Sequence, residues 1–377
     1  MKILMLGVKE YPYGVSSKFE KHAGGGIAKV VIDLVNELCK DNNDTEVTLI
    51  VRKMPGQPKH EFYGKVQIYR VPWINSRYLR MPVFALFSFF KALKIYQSYD
   101  IIHAHDAFAI FLTILLKKLN RRIITVSSPH GGPFTKESVY NSLATNLYRS
   151  LEKFNLKHSE HLVFLSDAEK NQLCTAYKTE PKKSYVIPTG ISAVQVSSEQ
   201  NDGKFNIVFI GRLMPRKGID KLITAMSIMP PEILTNLKLT IVGDVHSKTE
   251  LEEQSKKLNL ENSVFFAGFS NEIARFLGMA DLFVLPSEGG EGLPISVLEA
   301  MSARVPVMIS NFDAPFREGS YYKLDNNEPK TIKSAITELY DDRARLMIMG
   351  ERAFVEYSEN FSISAAAKRF KNFYHSL

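Results

Sequence analysis

The sequence predicts an α/β protein of two successive, doubly wound parallel sheets, and three observations carry that expectation. Its 377 residues are enough for two domains. Short continuous apolar runs, the pattern of strands buried on both faces, alternate with longer amphipathic stretches along the chain. The series is interrupted once, after Pro188-Thr189-Gly190, by a polar stretch rich in Ser, Gln, Asn and Asp that continues to Lys204, and then starts again.

The first run, residues 3–8, leads into a glycine-containing loop and an amphipathic helical pattern. Residues 47–51, 101–105, 123–127 and 161–165 read as further strands, separated by helical segments such as 83–96 and 140–156. Beyond the linker, strands are expected at 206–210, 237–242, 264–266, 282–285 and 305–309, with a helix over 219–229 after the first of them. Strands alternating with helices imply parallel pairing, so each half should form its own α/β unit, with a cleft between the two. Residues 364–377 are helical in pattern, with Ala367, Phe370 and Tyr374 on one face.

A composition of 45% hydrophobic and 23% charged residues excludes a disordered chain. The 48 Lys+Arg outnumber the 40 Asp+Glu by eight, and the excess is one-sided. Residues 1–195 hold 27 basic and 16 acidic side chains, whereas residues 196–377 hold 21 and 24. The first half therefore suits an anionic partner: a lipid headgroup, a polymer or an acidic substrate. Within it, residues 77–91 interleave aromatics and cations, which fits either a helix lying on anionic lipid or a buried helix with basic ends. Two cysteines, Cys39 and Cys174, without metal-ligand spacing, point to a reducing compartment. The opening apolar run is too short for a signal peptide, and the longest others, 81–90 and 107–116, fall below the ~18 residues a spanning helix needs. The expected location is cytoplasmic.

Chemistry is expected where loops leave the carboxyl ends of strands. After 282–285, Pro286 is followed by a loop holding Gly289, Gly290 and Gly292, then a helix opening at Pro294, which places free amides and a positive dipole end where a phosphate can sit. Glu291 in the loop and Glu299 in the helix can reach the vicinal hydroxyls of a ligand so anchored, although Glu299 alone also fits a solvated helix face. After 206–210 come Gly211, Arg212, Lys217 and Gly218, whose two cations can neutralise a diphosphate. Gly24, Gly25 and Gly26 precede the first helix, but their spacing lacks the glycine fingerprint of a nicotinamide enzyme. His103, His105 and Asp106 end one strand and His130 follows another. Capping or substrate hydrogen bonding is expected of them in preference to a metal site.

Taken together, and in this order, these motifs resemble the retaining glycosyltransferases of the GT4 type, whose GT-B fold sets two Rossmann-like domains face to face across a cleft. The resemblance covers nearly the whole chain: the Gly24–Gly26 loop, Asp100-Ile-Ile-His-Ala-His105, His130-Gly131, Ile187-Pro-Thr-Gly190, Gly211-Arg-Leu with Lys217-Gly218, Ile241-Val-Gly-Asp244, Phe266-Ala-Gly268, and Glu291 with Glu299. It implies an acceptor domain over 1–188, a donor domain over 189–355, and a last segment, 356–377, returning to the first domain. By the same resemblance, Arg212 and Lys217 meet the donor diphosphate and Glu299 the ribose. Glu291, Gly292 and Leu293 hold the donor sugar, Gly211, Gly268 and Phe269 line the nucleotide site, and Gly25 and Gly26 approach the phosphate. His130 contacts the sugar, His105 and Asp106 border the acceptor, and neither metal nor cofactor is required. The chain departs from the family at Thr189, usually Asn, and at 311–319, which replaces the family's Gly-Pro-Glu loop.

The resulting expectation is a retaining transferase that moves a sugar from a nucleotide diphosphate, UDP favoured over GDP, to a lipid-linked or polymeric saccharide, bound peripherally to an anionic membrane and not to nucleic acid. A small acidic acceptor and an inactive nucleotide-sugar-binding scaffold are the alternatives.

Overall fold

The computed structural model describes residues 1–12, 26–40, 44–76, 79–130, 142–196, 203–243, 248–288, 293–310 and 314–377. The chain divides into two compact units, Met1–Ile191 with Ile363–Leu377, and Ser192–Ser362. In the first unit the elements run β1 (Lys2–Leu6), α1 (Gly26–Leu38), β2 (Glu46–Arg52), β3 (His60–Tyr63), β4 (Val66–Val71), α2 (Arg80–Leu93), β5 (Ile101–Ala104), α3 (Ala107–Leu119), β6 (Ile124–Ser127), α4 (Ser142–His158), β7 (His161–Phe164), α5 (Asp167–Tyr177) and β8 (Ser184–Val186). The second unit holds β9 (Phe205–Ile210), α6 (Ile219–Ser227), α7 (Pro231–Leu234), β10 (Leu237–Val242), α8 (Lys248–Lys257), β11 (Val264–Gly268), α9 (Ile273–Gly278), β12 (Leu282–Leu285), α10 (Ile295–Ser302), β13 (Val307–Ser310), β14 (Tyr322–Leu324), α11 (Pro329–Asp341) and α12 (Arg343–Glu356). After a π turn at Tyr357–Phe361, α13 (Ile363–His375) belongs to the first unit again.

The first sheet has the order β3-β4-β2-β1-β5-β6-β7-β8 and the second β11-β10-β9-β12-β13-β14. All pairs are parallel except the β3–β4 hairpin. In both sheets the winding reverses beside the first strand, between β1 and β5 and between β9 and β12. Such switch points open a crevice at the carboxyl ends of the strands, which is where open α/β sheets bind ligands.

The two-residue period of β1 shows how the layers form. Ile3 and Met5 join Val31 and Val35 of α1 and Phe370 and Tyr374 of α13, while Leu4 and Leu6 join Phe84 of α2 and Ile110 and Ile114 of α3. Each fully buried side chain of this size contributes roughly 1.5–3 kcal/mol.

The units meet the chain at points slightly different from those expected. Ile191 is buried and accepts the Ile363 amide at 2.9 Å, whereas the Val194 amide donates to Ser302 Oγ at 3.1 Å, so the crossing lies at 191/192 and not 188/189. The return lies at 362/363 and not 355/356, because Arg317 holds Glu356 at 3.2 Å and Phe361 packs on Phe316 with ring centroids 5.2 Å apart.

Candidate functional site

At the switch point of the second unit, β9 ends in Gly211, whose amide donates to Val242 O at 3.0 Å. The chain then folds tightly. The amides of Met214, Lys217 and Gly218 donate to Arg212 O, Met214 O and Pro215 O at 2.9, 2.9 and 3.0 Å. This turn leaves Arg212 exposed and Lys217 only 9% accessible. It is fastened to the loop after β12: Ser287 Oγ and the Glu288 amide both donate to Arg216 O, at 3.0 and 2.8 Å.

Gly218 has φ +68° and would place a Cβ 2.1 Å from Pro286 O, so only glycine lets the two loops approach this closely. Gly218→Ala should therefore cost about 3 kcal/mol of unfolding free energy, from left-handed strain plus backbone displacement. Chemical denaturation measures it; a loss below ~1 kcal/mol would mean the loops separate freely.

Leu293 is buried ahead of α10, and Pro294 occupies the cap position, one residue before the helix it was expected to open. Glu299 is 7% accessible, so the solvated-face reading is wrong: α10 is covered on that side. Gly268 closes β11 at φ +73° and Phe269 beyond it is exposed. Glu291 and Gly292 lie outside the described residues, as do Gly24 and Gly25, while Gly26 begins α1.

The first unit gathers its candidate residues at its own switch point. Asp106 follows β5 and caps α3, its Oδ1 accepting the amides of Phe108 and Ala109 at 2.9 and 3.2 Å. Its Oδ2 is buried with no hydrogen-bond partner among the described residues. A Cβ on Gly7, just past β1, would lie 2.4 Å from that oxygen. Desolvation pushes the Asp106 carboxyl up to about 6.

His103 is enclosed. Its Nδ1 lies 2.7 Å from the Tyr374 hydroxyl and its Nε2 2.8 Å from Ser128 Oγ, so neither nitrogen is left for a cation. His105 Nδ1 lies 2.9 Å from His130 Nε2, and the His103 and His105 rings are 4.0 Å apart. Burial lowers His103 to about 3 and His130 to about 4, and lowers His105 well below its ordinary value, so all three are neutral at pH 7.

The structure thus brings Arg212, Lys217 and Gly211 to one loop, and His105, Asp106 and His130 to the ends of two neighbouring strands, β5 and β6. Sequence reasoning missed Gly7, which faces Asp106, and Ser128 and Tyr374, which bond His103. Tyr374 was legible only as an apolar-face residue; its burial beside a polar strand end was the missing signal.

Two family models divide the chain: Glycosyltransferase Family 4 matches residues 24–194 and Glycosyl transferases group 1 matches residues 192–355. The UDP-Gal:alpha-D-GlcNAc-diphosphoundecaprenol alpha-1,3-galactosyltransferase of Escherichia coli is 26% identical over 308 residues, covering 77% of this chain and 78% of that protein. Sucrose-phosphate synthase from Thermosynechococcus elongatus superposes with a TM-score of 0.80 at 20% identity, over 100% of this chain and 98% of that one. Anabaena HepE in complex with UDP-glucose superposes at 0.74 and 18% identity over the whole of both chains. The matches together span both units, and the chain belongs to the group 1, family 4 glycosyltransferases of GT-B fold.

Proposed function

We propose that this glycosyltransferase moves a sugar from a UDP-sugar to a hydroxyl of a lipid-linked saccharide in glycan biosynthesis, with retained anomeric configuration and without a metal ion. The observation that carries the reading is the switch point of the second unit. A buried lysine and an exposed arginine leave one strand end, stitched to the loop that precedes α10, and this suits a diphosphate. The nucleotides named for HepE and the E. coli relative favour UDP, and the latter's diphosphoundecaprenol acceptor favours a lipid carrier.

In this reading Lys217 and Arg212 neutralise the diphosphate as the bond from the sugar C1 to its oxygen breaks. Glu299 accepts the ribose hydroxyls, and Glu291, Gly292 and Leu293 hold the sugar. Gly211 and Gly268 let the backbone approach the nucleotide, and Phe269 offers its ring to the base. Gly25 and Gly26 approach the phosphate, His130 contacts the sugar, and His105 and Asp106 border the acceptor. The acceptor oxygen bonds to C1 on the face the diphosphate leaves, and its proton passes to a departing phosphate oxygen, so no protein base is needed.

Thermal unfolding with added nucleotides tests the donor. UDP at about 100 times its dissociation constant should stabilise the fold by about 2.7 kcal/mol, with GDP weaker. Stabilisation by GDP alone overturns the base, and none by any nucleoside diphosphate overturns the donor site.

Peripheral membrane binding is supported by α2. Leu79, Leu86, Phe87, Phe90 and Lys94 share one exposed face, and residues 62–99 carry six Lys or Arg and no carboxylate. No helix among the described residues is long and apolar enough to cross a bilayer. The protein should float with phosphatidylglycerol vesicles at low salt and release at ~0.5 M salt, and Phe87→Glu with Phe90→Glu should abolish flotation. Absence of wild-type binding would favour a soluble acidic acceptor instead.

A further inference from the structure

Two neutral imidazoles can share one hydrogen in two ways, and here the surroundings choose between them. His105 Nδ1 and His130 Nε2 stand 2.9 Å apart, and burial keeps both rings uncharged at pH 7. One of these nitrogens therefore carries the hydrogen and the other a lone pair. Were His130 the donor, His105 would accept at Nδ1 and bear its own hydrogen on Nε2. That nitrogen is buried with no partner among the described residues, and His103 cannot serve it because Tyr374 and Ser128 occupy both of its nitrogens. A stranded N–H in such a place loses the hydrogen bond it makes in water, and buried orphan donors are rarer than orphan acceptors. With His105 donating instead, only a lone pair is stranded, and His130 carries its hydrogen on Nδ1.

We infer that His105 is a positioning residue that locks His130 as the Nδ1–H tautomer, so that His130 offers a substrate oxygen a hydrogen-bond donor and not a base. The inference rests on the reading above that His130 meets substrate. His130 itself sits at φ +53°, a left-handed conformation that disfavours a residue with a Cβ. His105, one residue past β5, thus faces a ring carried on a disfavoured backbone conformation. A donor at this place suits a sugar hydroxyl or phosphate oxygen, and it agrees with a reaction in which the leaving phosphate takes the acceptor proton.

Nitrogen-15 spectra of histidine-labelled protein at pH 7.5, assigned with His130→Gln, read the tautomer directly. The expected spectrum has a protonated Nδ1 and a bare Nε2 on His130, the reverse of the form an imidazole prefers in water. In His105→Leu that signature should revert, with kcat/KM for transfer down about tenfold. His105→Asn, whose amide can donate from near the same position, should restore most of both. A protonated Nε2 on His130 in the wild-type protein overturns the lock, even if the leucine variant fails to fold. A signature unchanged in His105→Leu overturns it too, and a reverted signature with transfer at full rate overturns the positioning role. The spectrum needs no sugar donor, so this inference and the donor assignment fail separately.

Discussion

Lys217→Met is expected to lower kcat/KM for sugar transfer by about a thousandfold in enzyme that remains folded, and Arg212→Ala to lower it by only about tenfold. Both cations sit on the same turn, but one is enclosed and the other faces water. An enclosed ammonium acts through a lower effective dielectric, where a charge developing on the diphosphate is stabilised several times more strongly than in solvent. Methionine keeps most of the lysine stem's packing, so the change removes charge without opening a void. Because negative charge grows as C1 parts from its leaving oxygen, the loss should fall on kcat more than on KM. The double variant should lose less than the product of the two single losses, since both cations act on one leaving group. Steady-state rates with parallel thermal melts decide it; a Lys217→Met enzyme that is folded and retains full kcat refutes the diphosphate assignment.

The central strands of both units were legible because burial on both faces leaves an unbroken apolar run, and β10 and β12 match the expected bounds, 237–242 and 282–285. The edges were not. β3 is mostly exposed and has no apolar period to read, while β4 carries Arg70 inside, where its guanidinium donates to Tyr11 O at 3.0 Å. β14 is a three-residue edge strand, shorter than any window that detects alternation. The same division holds at the site. Arg212 and Lys217 were found because they follow a strand directly, whereas the partners of the histidines come from segments 25 and 271 residues away from His103, a distance no local pattern spans. The burial of Glu299 was invisible for a related reason: helical period gives a face, and only the packed unit says what covers it.

The histidine cluster gives the fold a marked acid sensitivity. Folding holds His103, His105 and His130 neutral, with pKa values lowered by burial to about 3 for His103 and about 4 for His130. In the unfolded chain each should titrate near ~6.5. Their contribution to stability is therefore complete above that pH and is lost progressively as pH falls toward the folded values. Asp106 acts in the opposite sense. Its folded value of about 6 lies above the ordinary one, so it favours the folded state at low pH and loses that effect as pH rises through 6. Near pH 5 unfolding therefore takes up about three protons at the imidazoles and releases about one at the carboxyl. The net uptake of about two corresponds to a stability slope of roughly 3 kcal/mol per pH unit. Denaturation free energies at pH 7.5, 6.5, 5.5 and 5.0 should be flat at the top of this range and fall steeply below 6. In His103→Gln, which keeps an amide beside Ser128 but cannot titrate, the slope at pH 5 should drop by about half. Stability that stays level to pH 5, or an unchanged slope in the glutamine variant, would show that these rings take up their protons without unfolding.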